Sequence, residues 1–177
     1  YVHYFKKFNK QPEPLKNAYL GYQINNEYVR KIVKKIDKKK YQIVTKNINE
    51  KAAMMLVDNK VLARCAGRSE FGARALGNRS IIANPSNANI KKIINEKIKN
   101  RDFWMPFAAS VLDKYSKKYF KLNGHIENYK YMTTCVNTKS NYVEKLKAGL
   151  HPYDNTCRPQ IVTKNDNLEY YNLIKKF

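Results

Sequence analysis

The stretch of sequence that decides the fold runs from Gly67 to Ser80 and reads GRSEFGARALGNRS. It contains three glycines and three arginines, namely Gly67, Gly72, Gly77, Arg68, Arg74 and Arg79. The glycines give the backbone conformational freedom and permit close approach to a ligand. The guanidinium groups can bind phosphate or carboxylate oxygens in a bidentate fashion, and Glu70 can orient an arginine or help to hold a metal ion. This composition predicts an oxyanion-binding loop, with a tight turn of locally paired arginines as the alternative.

The sequence on either side of this loop alternates between helix and strand patterns. The clearest helix follows the loop, where an apolar stripe at helical spacing consists of Ile90, Ile93, Ile94 and Ile98. Further helices are predicted from residue 25, at 49–57, at 114–120 and after Asp166, which we expect to cap the last one. Strands are predicted at 41–45, 60–66, 79–83, 105–112, 132–136 and 160–163. We therefore expect an α/β domain with a mixed, twisted sheet and flanking helices over residues 24–177, preceded by a proline-punctuated linker at residues 1–23.

The charge of the chain narrows its range of partners. The 177 residues suffice for one domain with a hydrophobic core, and 35 Lys and Arg against 14 Asp and Glu give a net charge of +21. Such an excess attracts polyanions, which are nucleic acids, acidic membrane surfaces or phosphorylated small molecules. We expect the clustered lysines mainly to cover solvated surface, whereas many of the few arginines fall within the motifs.

The remaining composition argues against membrane, secreted and zinc-binding classes. No apolar run approaches the roughly 18 residues of a membrane span, and the N-terminus has no signal-peptide pattern. Cys65, Cys135 and Cys157 are scattered and form no CxxC pair, which argues against a disulfide framework and a structural zinc site. We expect reduced thiols in or near the core of a cytoplasmic protein.

Several motifs in collinear order resemble the O-carbamoyltransferase family. The loop is similar to the family signature GRxEFGPRALGxRS, and the segment NEKIKNR at residues 95–101 resembles its N-x-x-x-K-x-R pattern. MPFAASVL at residues 105–112 is similar to the PFAPSVL strand, and HPYDNTCRPQ at residues 151–160 to H-x-D-G-T-A-R-P-Q. AYLG at residues 18–21 resembles the YLGP that opens the family's C-terminal domain. The resemblance therefore covers nearly the whole chain.

This resemblance implies a fold and a reaction. The family's C-terminal domain resembles YrdC-type nucleotide-binding domains and makes carbamoyl-adenylate from carbamoyl phosphate and ATP, releasing pyrophosphate, with Mg²⁺ as a cofactor. A preceding actin-like domain, with an Fe- or Zn-type metal site, then moves the carbamoyl group to a hydroxyl acceptor such as a sugar or an antibiotic precursor. We expect this chain to correspond to the first of these two activities.

The motif positions also indicate candidate site residues. The side chains expected to bind the anionic substrates are Arg74, Arg79, Lys99 and Arg158. Weaker candidates for substrate or nucleotide binding are Arg68, Glu70, Arg101, His151 and Asp154. No metal-ligand set is predicted within this domain. Trp104 is expected to pack in the core rather than to stack on a base.

The sequence departs from the family at several points. Ala73 and Ala109 stand where the family has proline, and Asn155 replaces a glycine in a turn, a change that asparagine tolerates because it accepts positive φ angles. The family continues to a strand carrying Asn-Thr-Ser-Phe-Asn, whereas this sequence ends at Phe177 after YYNLIKKF. The resemblance therefore predicts a fragment whose domain is incomplete at the C-terminus.

A basic RNA-binding module without catalysis is the alternative function. The sequence contains no RNP-like aromatic motif, no helix-turn-helix signature and no zinc pattern, so this alternative is not favoured. A steep loss of affinity with salt would distinguish RNA binding from a shaped carbamoyl-phosphate site.

Overall fold

The computed structural model describes residues 2–13 and 15–177. Its α-helices are α1 (Val2–Phe8), α2 (Asn26–Lys35), α3 (Ile48–Val57), α4 (Ile90–Ile93), α5 (Asp113–Tyr119), α6 (Val143–Leu146) and α7 (Leu168–Lys176). A π-helical turn at Ile94–Ile98 continues α4, and 3₁₀ turns lie at Ile126–Tyr129, Ser140–Tyr142 and Lys147–Gly149. Within the described ranges, no helix is both long and apolar enough to span a bilayer.

In the described residues, seven short strands form three separate small sheets. The strands are β1 (Leu62–Cys65), β2 (Arg79–Ile82), β3 (Ser110–Leu112), β4 (Phe120–Lys121), β5 (Val136–Thr138), β6 (Thr156–Cys157) and β7 (Gln160–Val162). Strands β1 and β2 pair in antiparallel fashion, with Leu62 opposite Ile82, so the glycine loop is the connection of a hairpin. Strands β3 and β7 are parallel, and β4, β5 and β6 form an antiparallel sheet. The predicted α/β class is confirmed, but the single mixed sheet is wrong.

The hydrophobic core holds these small sheets together. Phe120 and Ile161, each 1% exposed, lie in one cluster that joins β4 to β7, and a second cluster packs Leu112 and Val162 against α7. A third, smaller cluster contains Ile90 and packs α4 against Val61, Ile81, Ala83 and Phe107. Strand β7 is buried along its whole length, as a strand covered on both faces should be. The second cluster therefore connects β2, β3 and β7 to the last helix, α7.

Local patterning predicted most elements, with identifiable exceptions. The sequence permits either Asn25 or Asn26 to cap α2, and in the structure Asn25 does so by accepting from the Glu27 amide. The strand predicted at 41–45 is absent, because these residues are exposed or half-buried and find no partner strand in the described chain. The strand predicted at 105–112 forms only at Ser110–Leu112, and the one predicted at 132–136 begins instead at Val136. The predicted linker contains α1, and two of its residues, Tyr1 and Pro14, lie outside the described residues.

Two single-residue predictions are corrected by the tertiary contacts. Asn167, not Asp166, caps α7 by accepting from the Tyr170 amide. The carboxylate of Asp166 instead accepts from the Thr163 hydroxyl at 2.6 Å and pairs with Lys130 at 2.9 Å. Trp104 is 58% exposed and is therefore not a core residue.

The cysteines only partly follow the prediction. All three are free thiols, but Cys157 alone is buried, whereas Cys65 and Cys135 are exposed. Burial raises the pKa of the Cys157 thiol to about 11, so it is protonated and unreactive at neutral pH.

Candidate functional site

A cavity of about 520 Å³ gathers most of the predicted site residues. Its walls come from the loop after β1, from β2, from α4 with its π turn, and from the segments that lead into β3 and β7. The predicted residues that line it are Arg74, Arg79, Lys99, Arg101, His151 and Arg158. Its described lining contains no Asp and no Glu. The cavity is therefore electropositive and large enough for a small phosphorylated ligand.

Three of the cations at this cavity are exposed side chains without a partner among the described residues. Arg74, Lys99 and Arg158 are exposed, and their side chains make no hydrogen bond or ion pair with any residue that the structure describes. They come from three distant parts of the sequence, which the fold brings to the same cavity. Unpaired cations around one cavity can neutralise several charges of a single anionic ligand.

Arg79, by contrast, is occupied by backbone carbonyl groups. Its Nη1 donates to the carbonyl oxygens of Ala66 at 2.6 Å and of Asn78 at 2.9 Å. Its Nη2 donates to the carbonyl of Gly67 at 3.1 Å, and more weakly to that of Tyr22 at 3.4 Å. Although Arg79 lines the cavity, its main contacts close the two ends of the loop.

Arg68 lies away from the cavity and ties an earlier segment to the loop. Its Nε donates to the carbonyl of Gly21 and its Nη2 to that of Leu20, each at 3.2 Å. The backbone of the two segments is also joined, since the Gly21 amide donates to the Ser69 carbonyl at 2.9 Å. The YLG motif and the loop are thus one structural unit, and the geometry of Arg68 is that of a structural residue.

The carboxylate of Glu70 holds the loop from inside. Its Oε1 accepts from the backbone amides of Leu76 at 2.8 Å, Asn78 at 2.7 Å and Arg79 at 3.1 Å. Partial burial works to raise the pKa of this carboxyl, but the amide hydrogen bonds prevail and hold the pKa below its ordinary value. The structure therefore shows Glu70 as the anchor of the loop backbone; it makes no hydrogen bond or ion pair with a cationic side chain of the described cavity and lies outside the cavity lining.

Arg64 and Asn78 are structural residues of the loop that sequence reasoning missed. Arg64 Nη1 donates to the carbonyl of Gly77 at 2.7 Å and to Asn78 Oδ1 at 2.8 Å. Asn167, next to α7, donates to the same Oδ1 at 2.8 Å. Burial lowers the pKa of Arg64 from its ordinary value, but the side chain stays cationic. The sequence does contain a signal that Arg64 is partly buried. It lies two residues after Leu62 in strand β1, and alternate residues of a strand share a face.

Sequence reasoning also missed three polar residues that line the cavity, Gln160, Ser110 and Tyr170. Gln160 Nε2 donates to the carbonyl of Leu76 at 2.7 Å, across 84 residues of sequence. Gln160 Oε1 accepts from the Ser110 hydroxyl at 2.9 Å, and this hydroxyl accepts from the Tyr170 hydroxyl at 3.0 Å. Tyr19 also donates to the Leu76 carbonyl, at 2.8 Å. Buried hydrogen bonds of this kind fix the loop two residues from Arg74.

His151 and Asp154 form a turn at the rim of the cavity. Asp154 Oδ1 accepts from the amide and the hydroxyl of Thr156, at 2.9 and 2.8 Å, and lies 3.1 Å from His151 Nδ1. The Thr156 hydrogen bonds hold the pKa of Asp154 below its ordinary value. Asn155 has φ of 57°, so it adopts the left-handed conformation that the replaced glycine predicted. The turn places Arg158 at the cavity, and Asp154 itself does not line it.

The described residues offer no metal site. No group of three or more His, Cys, Asp or Glu side chains comes together in residues 2–13 and 15–177. Glu70 already accepts three amide hydrogen bonds, and no Asp or Glu side chain is among the described lining of the cavity. Mg²⁺ is commonly bound by substrate phosphates and water together with one or two carboxylates, and the side chains of this lining supply none of those carboxylates.

Comparison with known proteins gives one matching family model and several similar proteins. Residues 52–177 match the family model described as Carbamoyltransferase C-terminus. An uncharacterized protein of Methanocaldococcus jannaschii is 38% identical over 167 residues, which are 92% of this chain and 27% of that protein. Nodulation protein NolNO of Sinorhizobium fredii is 37% identical over 74% of this chain, and nodulation protein U of the same organism is 35% identical over 67%. The chain spans 19% and 20% of the lengths of these two nodulation proteins.

Proposed function

This chain belongs to the carbamoyltransferase C-terminus family, and from that premise we propose that its cavity binds carbamoyl phosphate and ATP and forms carbamoyl-adenylate. The observation that carries the proposal is the set of cations around a cavity whose described lining has no Asp or Glu side chain. The two substrates carry several negative charges, and a cavity of about 520 Å³ has the size of a small-molecule site.

The proposed reaction has two leaving groups. Water releases phosphate from carbamoyl phosphate, and one oxygen of the resulting carbamate attacks the α-phosphorus of ATP. The bond between the α- and β-phosphates then breaks, and pyrophosphate leaves with the electron pair. The products are carbamoyl-adenylate, phosphate and pyrophosphate, so both released anions can be measured.

The chain's own side chains contribute charge and position to this reaction. We assign Arg74, Lys99 and Arg158 to the phosphate oxygens, because each is exposed at the cavity and unpaired within the described structure. Phosphoryl and adenylyl transfer depend largely on alignment and on stabilisation of charge in the transition state. Arg79 and Glu70 support this arrangement by holding the loop that carries Arg74.

The proposed cofactors are ATP and Mg²⁺ in this domain and an Fe- or Zn-type metal elsewhere in the polypeptide. ATP fits the cation set, and a Mg²⁺ ion bound with it would be held by the phosphate oxygens and water, because the described cavity lining contains no Asp or Glu side chain. The chemistry assigned to this chain therefore rests on its arginine and lysine side chains. The Fe- or Zn-type centre that the family resemblance implies would lie in another part of the polypeptide.

The transfer of the carbamoyl group to its acceptor would require other parts of the full-length protein. We propose a YrdC-like arrangement for this domain and transfer of the carbamoyl group by an actin-like domain to a hydroxyl acceptor of the sugar or secondary-metabolite type. The relatives support this division of labour, because each is several times longer than the part that this chain matches.

Release of pyrophosphate by the full-length polypeptide tests the proposal. We expect release from ATP to require carbamoyl phosphate and to be accompanied by an equal amount of phosphate. Arg74→Ala and Arg158→Ala should each reduce the rate at least tenfold, because each removes a charge-assisted contact worth roughly 1.5–3 kcal/mol. Arg30→Ala is the matched control, since Arg30 is an exposed arginine of α2 that does not line the cavity. No carbamoyl-phosphate-dependent release from the folded protein would refute the adenylation reaction.

A further inference from the structure

Asn95 is a fully buried amide beside the electropositive cavity, with 0% of its surface exposed. We propose that Asn95 is a positioning residue that orients the guanidinium group of Arg101 toward the anionic ligand of the cavity. The identity of that ligand rests on the proposed function, whereas the orientation of Arg101 rests on the geometry alone.

The hydrogen bonds of Asn95 leave its amide only one orientation. Nδ2 donates to the carbonyl oxygens of Phe103 and Met105, each at 3.0 Å. Both N–H groups are thereby used, and Oδ1 accepts from Arg101 Nε at 2.7 Å. Rotating the amide would place Oδ1 against carbonyl oxygens and leave buried groups without partners, which is costly in a protein interior. The side chain of Arg101 is thus held at its Nε atom.

The backbone around Asn95 reinforces this arrangement. Asn95 lies in the π turn Ile94–Ile98, where its own carbonyl accepts from the Arg101 amide at 3.0 Å. The amide of Lys99 donates to the carbonyl of Ile94 at 2.9 Å. Single π turns of this kind recur at functional sites, because they redirect the residues that follow. Here the turn sets the position of two cavity cations at once, Lys99 and Arg101.

The guanidinium group of Arg101 is held on a second side as well. Its central carbon lies 4.8 Å from the centroid of the Phe107 ring, an arrangement that favours stacking of the planar cation. Its two terminal nitrogens make no hydrogen bond or ion pair with the described residues, and Arg101 lines the cavity. Both terminal nitrogens of Arg79, by contrast, donate to backbone carbonyls. Arg101 therefore presents a pre-organised fork to the cavity, whereas Arg79, one of the arginines predicted to bind the ligand, does not.

A double-mutant cycle on the full-length polypeptide tests this role. The variants are Asn95→Ala, Arg101→Ala and the pair, with Asn128→Ala as the control because Asn128 is exposed and makes no side-chain hydrogen bond within the described chain. The measurements are the dissociation constants of ATP and of inorganic tripolyphosphate by calorimetry, together with KM and kcat for pyrophosphate release. We expect each single variant to raise the dissociation constants and KM about tenfold, with a much smaller change in kcat.

The double variant decides between positioning and general stability. If Asn95 acts through Arg101, the double variant binds no more weakly than Arg101→Ala alone, because the effect of Asn95 is already lost. Independent effects that multiply in the double variant would overturn the proposal. If Asn95→Ala does not fold, Asn95→Ser takes its place in the same cycle, since it also removes the amide oxygen that accepts from Arg101 Nε but keeps a polar group at the buried position.

The two probes separate this inference from the proposed reaction. Tripolyphosphate binding that depends on Asn95 only through Arg101, in a protein without pyrophosphate release, would sustain the positioning role and refute adenylation. Normal pyrophosphate release with unchanged affinities in both single variants would sustain adenylation and refute the positioning role.

Discussion

Individual glycines in the signature loop differ sharply in what they contribute. Gly77 has φ of 110°, and a Cβ atom added there would lie 2.4 Å from the ring of Tyr170. Gly72 has nearly the same backbone conformation, with φ of 112°, but no atom lies within 4 Å of its Cβ position. Substitution of Gly72 therefore tests backbone strain alone, whereas substitution of Gly77 tests backbone strain together with close packing.

This contrast predicts different stabilities for Gly77→Ala and Gly72→Ala. Both substitutions force a residue with a Cβ into a positive-φ conformation, which costs about 1–3 kcal/mol. Gly77→Ala must also displace Tyr170, which is 3% exposed and donates to Ser110, and overpacking of this kind costs roughly 1–3 kcal/mol more. Urea unfolding of both variants measures the difference. Equal losses of unfolding free energy would contradict the packing of Tyr170 beneath Gly77.

At the scale of elements, the loop between β1 and β2 is a rigid connection rather than a flexible flap. Its amides are bound by Glu70, and its carbonyls by Arg64, Arg79 and Gln160. Most of these groups are part-buried, so the hydrogen bonds are shielded from competing water. A rigid loop reduces the entropy that a ligand must remove on binding, and this suits a site that aligns two substrates.

These contacts predict that substitutions at Arg79 and at Arg74 change the free energy of unfolding by very different amounts. Arg79→Lys should lower the free energy of unfolding by roughly 1–3 kcal/mol, because an ammonium group cannot reach the same set of carbonyls. Arg74→Ala should change stability by less than about 0.5 kcal/mol, since exposed residues without partners contribute little. Thermal unfolding of the two variants side by side provides the measurement. A large loss of stability in Arg74→Ala would mean that Arg74 is held by the protein rather than offered to a ligand.

Local sequence signals predicted the helices better than the strands. Helix α2 and its cap follow from side-chain periodicity and from an asparagine at its start, both of which are encoded within a few residues. The three sheets depend on pairing between distant segments such as β3 and β7, and residues 41–45 show that β-branched composition alone forms no strand. The motifs predicted six cavity residues, but Asn95 and Gln160 act through partners that the sequence does not reveal.

For the molecule as a whole, the distribution of charge matters more than its total. The net charge is +21, yet the cations at the cavity come from a few segments that the fold brings together. Most lysines lie on exposed surface, for example in α2 and after it, where solvent and salt screen them. Surface charge of this kind attracts any polyanion weakly, whereas convergent cations around a cavity select a small one.

This distribution predicts different responses of ATP and RNA to salt. Between 50 and 200 mM salt, a protein that contacts 6–10 phosphates of a nucleic acid loses roughly 10³–10⁵ in affinity, because each contact releases condensed counterions. ATP has no such counterion layer along a polymer, so its dissociation constant at the cavity should rise less than about tenfold. Titrations of the full-length polypeptide with ATP and with a single-stranded RNA at both salt concentrations make the comparison, and Arg74→Ala identifies the binding site. If RNA stays bound at 200 mM salt and competes with ATP in an Arg74-dependent manner, the cavity is a nucleic-acid interface and not a site for carbamoyl-adenylate formation.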